Sequence, residues 1–515
     1  MIPYDTIIEH AAARPQAVAL AADTGQLSWA EYAEQVRALS AWLTTRLSAA
    51  DHPRAVVMAP ATPATVVATS ALATLGIPWV GLDATAAPDR VRAQIAAVSP
   101  AVAVVDSSRT PLPDADRNAL GLPDGVVVLD LAGSSTPGGV ANQPVGTPLV
   151  EAIGYAGPAA SWQKPPFLAL GFTSGTTGTP KLVLRRRASE ARRLAMLEET
   201  FGFGPADTHL VTVPLSHASG HGWARVFLAV GATVVLGDAD PVANLARMRA
   251  WAVRTTLMVP PVLDRFLTAA GAAPEVALPH LRFLLTGGRH LAPAVVRRCH
   301  RRFGPVLHLY YGTTETGLNT IATPAHLAAD PRSAGQPTPG TSLLVLDERT
   351  GQRTPPGTVG RVAIASYMNF DGYADRAAST VVRDGAEYVV TADYGYLDGD
   401  GQLFLTARSD QTGAGTGPVD VIGVEGALRD LDGVADAVLA STSDGSVAGL
   451  TAALLPTPAN GVQPDAVLER AERLLARLLG DLRGRPAAVV VARIPYSPTG
   501  KVDLPVLVSM VKEQK

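Results

Sequence analysis

Short apolar runs alternate with helical patterns from the start of the chain to about residue 340. Apolar runs at 56–58 and 79–82 flank a helical pattern over 64–75, which predicts a βαβ unit. Ser28 and Glu31 form a capping box that predicts the start of a long helix. Further strands are predicted at 101–105, 125–129, 209–213, 233–236, 257–260 and 281–286. This alternation predicts an α/β fold built on layered, mostly parallel sheets.

After about residue 340 the pattern changes to short strands separated by turns. The sequence Asp398-Gly-Asp-Gly401 predicts a hairpin turn before a strand at 402–405. A glycine-rich polar segment predicts a flexible linker, and the helical pattern at 464–483 carries an apolar stripe typical of a core-facing helix. The predicted divisions are a large N-terminal domain with a β-rich subdomain at 1–408, a linker at 409–417, and a small, mobile α+β domain at 418–515.

Composition and charge exclude several classes of protein. A chain of 515 residues is too long for one compact core, and its 47% hydrophobic residues exclude a disordered protein. The net charge of −3 argues against a general affinity for polyanions, so we expect no nucleic-acid partner. Pro60, Pro63 and Pro78 interrupt an uncharged stretch and no signal-peptide pattern precedes it, so we expect no membrane partner. A single cysteine, Cys299, suits the reducing cytoplasm, where we expect a monomer or a homodimer.

Lysine is scarce in this arginine-rich chain. The 43 Lys and Arg residues include lysine only at positions 164, 181, 501, 512 and 515. Because such a composition supplies arginine wherever a plain positive charge suffices, an internal lysine indicates a role for a compact ammonium group. Lys164 lies between Trp162 and two prolines and is interpreted as part of a connector, and the last two lysines belong to a polar tail. Lys181 and Lys501 remain as candidate functional lysines.

A loop of small and hydroxyl-bearing residues, Thr173-Ser-Gly-Thr-Thr-Gly-Thr-Pro-Lys181, follows the apolar run at 167–170. Small residues let the backbone approach an anion, and hydroxyl and amide groups donate hydrogen bonds to it. The loop is not a P-loop, because Pro180 precedes Lys181 and Leu182 follows it. The residues predicted to contact phosphate are Thr173, Ser174, Gly175, Thr176, Thr177, Gly178 and Lys181. The alternative is a surface loop without a ligand.

Four further segments carry a distinctive set of polar residues: Tyr310-Tyr-Gly-Thr-Thr-Glu315, Val390-Thr-Ala-Asp393, Phe404-Leu-Thr-Ala-Arg408 and Pro498-Thr-Gly-Lys501. Taken singly, Glu315 is interpretable as a carboxylate at a helix N-terminus, Asp393 as a turn residue and Arg408 as a surface charge. Taken in order with the loop at 173–181, the segments resemble the signature motifs of the adenylate-forming superfamily. That superfamily includes acyl- and aryl-CoA synthetases, peptide-synthetase adenylation domains and luciferases, and the resemblance covers nearly the whole chain.

The resemblance implies a ligase that uses ATP and Mg²⁺. A small carboxylic acid attacks the α-phosphate of ATP, pyrophosphate leaves, and the acyl adenylate passes its acyl group to an acceptor. In this scheme Lys501 bridges the carboxylate and the α-phosphate, Thr314 bonds the α-phosphate, and Glu315 binds Mg²⁺. The residues implied to bind the rest of the nucleotide are Gly287, Gly288, Gly312, Tyr311 on the adenine, Asp393 on the ribose, and Arg408 beside Asp393.

Two segments predict the substrate pocket. Pro214-Leu-Ser-His217-Ala-Ser-Gly-His221 matches the place where relatives carry a pocket histidine. Its Pro, Ser and Gly residues predict a loop, which argues against a metal-binding helix face formed by His217 and His221. Arg289 follows the double glycine, where relatives usually carry a small or acidic residue, and it is interpreted either as the partner of a second acidic group on the substrate or as a solvent-facing residue. Tyr310 is assigned to the same pocket.

The resemblance also implies a hinge at Asp410, where the small domain of relatives rotates between two half-reactions. Many CoA-using relatives follow the hinge with a loop rich in lysine and glycine, and the segment at 413–425 lacks it. This difference leaves adenylation unaffected and leaves the acceptor open among CoA, an amine and a carrier protein. Two alternatives remain: adenylation of nitrite for reaction with an arylamine, and a non-catalytic nucleotide-binding protein of the same fold. The acid itself does not follow from the sequence.

Overall fold

The computed structural model of the protein describes residues 4–48, 51–107, 121–131, 146–173, 181–186, 189–274, 277–409, 419–441, 450–457, 464–479, 487–496 and 502–514. The helices of these residues are α1 (Tyr4–Ala13), α2 (Trp29–Thr44), α3 (Pro63–Thr74), α4 (Pro88–Val98), α5 (Leu149–Ile153), α6 (Glu190–Phe201), α7 (Ala218–Ala229), α8 (Pro241–Ala250), α9 (Pro260–Ala272), α10 (Pro293–Phe303), α11 (Pro324–Ala329), α12 (Val421–Arg429), α13 (Pro464–Leu479) and α14 (Leu504–Glu513). The strands are β1 (Val18–Ala22), β2 (Gly25–Ser28), β3 (Ala55–Met58), β4 (Trp79–Gly81), β5 (Val102–Val105), β6 (Val127–Asp130), β7 (Thr147–Pro148), β8 (Ala169–Phe172), β9 (Leu182–Arg185), β10 (Thr208–Val211), β11 (Thr233–Leu236), β12 (Thr255–Leu257), β13 (Phe283–Gly287), β14 (Leu307–Thr313), β15 (Gly317–Ala322), β16 (Gln336–Pro337), β17 (Thr341–Leu346), β18 (Gly360–Ser366), β19 (Gly372–Tyr373), β20 (Thr380–Arg383), β21 (Ala386–Leu397), β22 (Leu403–Arg408), β23 (Val434–Ser441), β24 (Leu450–Pro456) and β25 (Ala487–Val490).

Two sheets of mainly parallel strands form the first part of the protein. One has the order β16-β15-β14-β13-β12-β10-β11-β1-β2 and is parallel from β14 to β1. The other has the order β4-β3-β5-β6-β7 and is parallel throughout. Parallel strands are buried on both faces, and here α7 packs on β10 and β11, α9 on β13, and α10 on β14. The predicted α/β class with layered parallel sheets is confirmed.

The local signals near the N-terminus fold as predicted. The Ser28 side chain accepts a hydrogen bond from the Glu31 amide at 3.3 Å, and the Glu31 carboxylate accepts one from the Ser28 amide at 2.8 Å. This reciprocal cap begins α2, whose aromatic residues Trp29, Tyr32 and Trp42 are buried in the core. The predicted βαβ unit at 56–82 is the pair β3 and β4 with α3 between them.

The β-rich region follows at the predicted place. Strands β17, β18, β21 and β20 form an antiparallel sheet, and β22 pairs with β21. The β21–β22 hairpin turns at the predicted site: Asp398 N–H donates to the Gln402 carbonyl at 3.0 Å, and Gly401 has a φ of +77°. A side chain at that φ is strained, which is why the turn ends in glycine.

The C-terminal region contains a small α+β unit, in which β23 pairs antiparallel with β24 and β24 pairs parallel with β25. Helix α13 buries Val467, Ala471 and Leu475 against this sheet, as its apolar stripe predicts. The same core includes Tyr394 and Ala407 of the β-rich region, so the unit packs on β21 and β22. The predicted hinge residue, Asp410, lies outside the described residues.

Cys299 and the described helices bear on two of the expectations from composition. Cys299 is fully buried on α10, and burial raises the pKa of its thiol to about 12. The neighbouring arginines therefore do not activate the thiol, because a group buried in this way stays protonated. Among the helices of the described residues, we find none with the length and apolar character that crossing a membrane requires.

His209 on β10 is a buried histidine that gives a testable pH dependence. Its ring stacks on Phe227 with the ring centres 4.0 Å apart, its Nδ1 lies 2.9 Å from the Thr255 hydroxyl, and burial lowers its pKa to about 3. The unfolded chain binds a proton near pH 6.5 and the folded chain does not, so stability falls as the pH drops from about 6.5 toward 3. Between pH 7.5 and 5.5 we expect His209 to account for a loss of about 1.4 kcal/mol.

Thermal unfolding at those two pH values measures this loss. We expect His209→Gln to unfold at a lower temperature than the native protein at pH 7.5 but to lose less on acidification. The exposed His280 supplies the control variant His280→Gln, which should keep the native pH dependence. An unchanged shift between pH 7.5 and 5.5 in His209→Gln would show that the folded protein protonates this ring.

Candidate active site

A cavity of about 830 Å³ opens at the carboxyl ends of β13 and β14. Ligands of open α/β sheets bind in this position, outside the carboxyl ends of parallel strands. Its walls come from β8 and β9, from α6 and α7, from β21 and β22, and from residues of the C-terminal unit, including Glu425 and Val502. Most of the residues predicted from the sequence meet around this one cavity.

The end of β13 lies directly against β14. A Cβ at Gly287 would come within 2.5 Å of the Tyr310 ring, and Gly288 has a φ of +79°. Both positions therefore need glycine for the two strand ends to meet. Burial raises the pKa of Tyr310 to about 12 and the Ser219 hydroxyl acts to lower it, so this phenol stays protonated on the cavity wall. Gly312 serves the β14–β15 hairpin, since a Cβ there would lie 2.1 Å from the Gly317 carbonyl oxygen.

Thr314 and Glu315 occupy the turn between β14 and β15 and line the cavity. The turn is held by Thr313, whose hydroxyl accepts a hydrogen bond from the Thr316 amide at 3.1 Å. One carboxylate oxygen of Glu315 accepts a hydrogen bond from the Tyr373 hydroxyl at 2.9 Å. Burial and the Glu315 carboxylate raise the pKa of Tyr373, so the phenol keeps the proton that it donates. Sequence reasoning missed Tyr373, which fixes the direction of the predicted metal ligand.

The predicted phosphate loop begins and ends on two paired strands. Thr173 N–H donates to the Lys181 carbonyl at 3.0 Å, which continues the β8–β9 ladder to the base of the loop. Both residues line the cavity, and the Lys181 ammonium lies 5.5 Å from the centre of the Tyr373 ring. Ser174, Gly175, Thr176, Thr177 and Gly178 lie outside the described residues.

Asp393 forms the centre of a second polar cluster. It is 5% exposed on β21; one carboxylate oxygen accepts from the Tyr311 hydroxyl at 2.8 Å and the other accepts from Arg408 at 3.0 Å. Burial and the Asp393 carboxylate raise the pKa of Tyr311 well above its ordinary value, so this phenol is a fixed donor. Asp393 is therefore a buried strand residue and not a turn residue, and Arg408, whose side chain is 46% exposed, pairs with it from the rim of the cavity.

The histidine segment is a loop as predicted at 214–217, but it is helical from Ala218 onward, so the predicted loop is wrong at 218–221. His217 is the N-cap of α7, accepting from the Ser219 amide at 3.3 Å, and His221 lies inside the helix. The helix forms despite its two glycines because its buried face, which includes Trp223 and Phe227, packs in the core. Burial, together with Arg225, lowers the pKa of His221 to about 3, so this ring is neutral. Both histidines line the cavity.

Arg289 connects the double glycine to the C-terminal unit. Its guanidinium carbon lies 4.4 Å from the centre of the Tyr496 ring, and it also lines the cavity. The Tyr496 hydroxyl bonds the carboxylate of Asp436, which accepts from Arg429 at 2.7 Å. Of the two interpretations of Arg289, the solvent-facing one is wrong, because the guanidinium stacks on an aromatic ring at the domain contact.

Lys501 lies outside the described residues, but the residues that flank its segment are described. Tyr496 and Val502 form an antiparallel bridge, and Asp503 N–H donates to the Pro495 carbonyl at 2.8 Å. Val502 and Leu504 line the cavity. The two ends of the segment at 497–501 therefore lie together, beside the cavity and next to Arg289.

The charged residues on the cavity wall that escaped sequence reasoning include Arg185, Glu190, Arg193 and Arg225. Arg185 ends β9 and donates to the Thr314 carbonyl at 2.5 Å, while α6 carries Glu190 and Arg193, and α7 carries Arg225. The i,i+3 spacing of Glu190 and Arg193 was the available signal, but such a pair usually marks a solvent-exposed helix face.

The chemistry of these groups fits a nucleotide with Mg²⁺. Asp393 accepts one hydrogen bond on each oxygen and keeps lone pairs for a ribose diol. Among the described residues no hydrogen bond engages the second oxygen of Glu315, and Mg²⁺ is typically held by one or two carboxylates together with phosphate oxygens. Lys181 adds a positive charge on the same side of the cavity.

Comparison with known proteins identifies the family. The family model described as AMP-binding enzyme matches residues 7–374. The chain is 29% identical over 521 residues to the L-proline–[L-prolyl-carrier protein] ligase of Streptomyces coelicolor, with 98% of this chain and 94% of the relative covered. It is 31% identical over 289 residues to the fatty acid–[acyl-carrier-protein] ligase ScoC of Streptomyces coeruleorubidus, where the match covers 53% of this chain and only 54% of the relative. This chain thus spans about half the length of some curated relatives it matches.

A solved structure supports the same conclusion over the whole chain. The amide bond synthetase McbA from Marinactinospora thermotolerans superposes with a TM-score of 0.81 at 26% identity, with 98% of this chain and 99% of that chain covered. The family model alone covers more than half of the sequence. The resemblance to the adenylate-forming superfamily is therefore confirmed, and the protein belongs to the AMP-binding enzyme family.

Proposed function

We propose that the protein is an ATP- and Mg²⁺-dependent ligase that converts a small carboxylic acid into an acyl adenylate and then transfers the acyl group to an amine or to CoA. One observation carries the proposal: the Thr314–Glu315 turn, the Asp393 cluster, and the base of the Lys501 segment line one cavity. The first binds phosphate and metal, the second binds ribose, and the third supplies a cation to the reacting atoms.

The Asp393 cluster would hold the nucleoside. The carboxylate accepts from the two ribose hydroxyls, and Tyr311 and Arg408 hold it in place through one hydrogen bond to each oxygen. Tyr311 lines the cavity beside this carboxylate, where the adenine would lie. Thr173 and Lys181 would contact the β- and γ-phosphates. Glu315 would hold Mg²⁺, which supplies positive charge to the departing pyrophosphate.

Adenylation needs no general base. A carboxylic acid with a pKa near 4 is already ionised at neutral pH, so an oxygen of the carboxylate attacks the α-phosphorus directly. The new bond joins that oxygen to the α-phosphorus, and the bond between the α-phosphorus and the bridging oxygen breaks, which releases pyrophosphate. What the protein must supply is alignment and compensation of charge. Thr314 and Lys501 would donate to the α-phosphate as its charge redistributes.

For the acceptor in the second step we favour an amine, and CoA is the other candidate. McbA, with which the whole chain superposes, is named as an amide bond synthetase. The segment at 413–425 also lacks the lysine- and glycine-rich loop of many CoA-using relatives. An amine attacks the acyl carbon of the adenylate, the bond from that carbon to the phosphate oxygen breaks, and AMP leaves with an amide as the product.

Pyrophosphate release tests the first step. Purified protein is incubated with ATP, Mg²⁺ and single members of a panel of aromatic and aliphatic acids, and with nitrite in a separate reaction. We expect at least one acid to raise the rate well above the acid-free background, and amines and CoA are then added with that acid. If nitrite stimulates release and no carboxylic acid does, the alternative holds in which the protein adenylates nitrite for reaction with an arylamine. No stimulation by any acid or by nitrite would contradict the proposal and favour the non-catalytic alternative.

A further inference from the structure

The walls of the cavity next to α6 and α7 carry more positive than negative charge. Arg185, Arg193 and Arg225 line this part together with one acid, Glu190. The side chains of Arg193, Glu190 and Arg225 keep 23%, 29% and 21% of their surface accessible, although each is surrounded by the protein. Because all of them line the cavity, their remaining accessible surface is available to a ligand in it.

One carboxylate oxygen forms ion pairs with two of these guanidiniums. Oε2 of Glu190 lies 2.8 Å from Arg193 and 3.7 Å from Arg225. Burial acts to raise the pKa of Glu190, but the two guanidiniums outweigh it and hold the pKa well below its usual range. Glu190 therefore stays ionised, and it compensates for only one of the two charges.

The guanidiniums are also short of hydrogen-bond acceptors. The Nε atoms of Arg185, Arg193 and Arg225 are buried, and none has a hydrogen-bond partner in the part of the chain that the structure describes. Burial lowers the pKa of Arg185 and of Arg225 below the ordinary value, which reflects the cost of holding these charges away from water. Buried cations are usually matched by anions that also complete their hydrogen bonds, and in this corner Glu190 is the one acid among the described residues within salt-bridge distance of Arg193 and Arg225.

Apolar side chains lead from the reacting centre to this corner. Trp79 packs on His221 with the ring centres 4.5 Å apart, and Phe167, Leu197 and Trp223 line the same part of the cavity. Arg185 joins the two ends, since it donates to the Thr314 carbonyl and lies within electrostatic range of Glu190. A ligand that fits has an ionised group at Thr314, an apolar body, and a second anionic group at the arginines.

We propose that the acid activated by this protein is dianionic, with a second carboxylate or sulfonate bound by Arg193 and Arg225. This inference rests on the proposed function and names the class of its substrate. One interpretation of the sequence made Arg289 the partner of a second acidic group on the substrate. Because Arg289 stacks on Tyr496, we assign that role to Arg193 and Arg225 instead. Arginine suits the role because its planar guanidinium binds a carboxylate or sulfonate through two parallel hydrogen bonds.

Paired acids test the proposal. Benzoate is compared with isophthalate and 3-sulfobenzoate, and octanoate with suberate, in the pyrophosphate-release assay. We expect kcat/KM for a dianionic member to exceed that of its monoanionic partner by roughly 30-fold or more, about 2 kcal/mol. Equal or better use of the monoanionic acids would overturn the proposal. The proposal would also be overturned if every diacid were inert and nitrite drove a pyrophosphate release that depends on Arg225. In that case Arg193 and Arg225 would bind the reacting anion and not a second anionic group.

Matched variants locate the second anion. Arg193→Met and Arg225→Met keep an apolar stem and should each remove most of the preference for the dianionic acid. Arg192→Ala is the control: Arg192 is exposed on the same helix, lies 4.2 Å over the Tyr367 ring, and should leave the preference unchanged. Glu190→Gln removes the competing carboxylate and should raise the preference several-fold. A preference that survives both methionine variants would place the second anion elsewhere.

A binding measurement separates this proposal from the proposed function. Thermal unfolding is followed with isophthalate or with benzoate, in the absence of ATP. We expect isophthalate alone to raise the unfolding temperature, and Arg225→Met to abolish the rise. If no acid supports pyrophosphate release but isophthalate still stabilises the protein through Arg225, the proposed function fails while the anion corner stands. If acids support release and isophthalate stabilises no more than benzoate, the dianionic substrate is wrong and the ligase remains.

Discussion

Lys501→Ala is expected to lower acid-dependent pyrophosphate release by roughly 100- to 1,000-fold, the loss that follows removal of one preorganised donor to developing charge. The lysine is proposed to contact the carboxylate and the α-phosphate only as they react. Its removal should therefore reduce kcat and leave the dissociation constant of ATP nearly unchanged. Quench-flow or continuous pyrophosphate assays give the rate, and equilibrium binding of ATP gives the affinity.

The chain supplies a matched control for this experiment. Lys512 lies in the last turn of α14, exposed, on the same C-terminal unit, and Lys512→Ala should retain full activity. Retained activity in Lys501→Ala would refute the proposed role. A loss of ATP affinity as large as the loss of kcat/KM would show that the lysine already holds the nucleotide in the ground state, because removing an interaction made equally in both states raises KM without lowering kcat.

The contact between Arg289 and Tyr496 places the base of the segment that carries Lys501 beside the cavity. Tyr496 bridges to Val502 across the segment that carries the lysine, and it is tied through Asp436 to Arg429 of α12. Arg289 thus meets the base of that segment from the opposite side of the cavity. Burial and the nearby guanidiniums of Arg429 and Arg289 lower the pKa of His290 to about 3, so this ring is neutral at neutral pH.

The sequence predicted the elements whose causes are local. A capping box needs two residues three positions apart, and a hairpin turn needs a glycine at a fixed place, so Ser28, Glu31 and Gly401 were readable directly. The convergence of the motif residues also follows from the alternating strand and helix pattern, because that pattern predicts parallel strands. Glycines and acids that follow buried parallel strands gather at one edge of a sheet, as Gly288 and Glu315 do here.

The residues that were missed depend on contacts between elements far apart in the chain. Glu190 of α6 and Arg225 of α7 lie 3.7 Å apart on the cavity wall although 35 positions separate them in the chain, and nothing in their spacing encodes that meeting. Tyr373 reaches Glu315 from a two-residue strand paired with β9. The loop prediction was wrong at 218–221 for the same kind of reason: tertiary burial of Trp223 and Phe227 outweighs the low helix propensity of Gly220 and Gly222.

Asp393→Asn is expected to weaken productive ATP binding by on the order of 100- to 1,000-fold, because two hydrogen bonds from the ribose to a charged acceptor contribute about 1.5–3 kcal/mol each. The substitution keeps the shape of the side chain but removes the charge that Tyr311 and Arg408 address. KM for ATP should rise steeply, and kcat at saturating ATP should change little if the ribose contacts are the same in the ground and transition states.

The sugar itself provides the decisive comparison. The native protein should prefer ATP over 2′,3′-dideoxy-ATP by about 100-fold, and Asp393→Asn should reduce that ratio to about tenfold or less, since the variant has lost the charged acceptor that binds the two hydroxyls. Tyr311→Phe removes one hydrogen bond to the carboxylate and leaves its charge, so it should keep most of the discrimination. A variant that binds both nucleotides weakly with the native ratio would mean that Asp393 supports the fold of β21 and β22 and that another group reads the ribose.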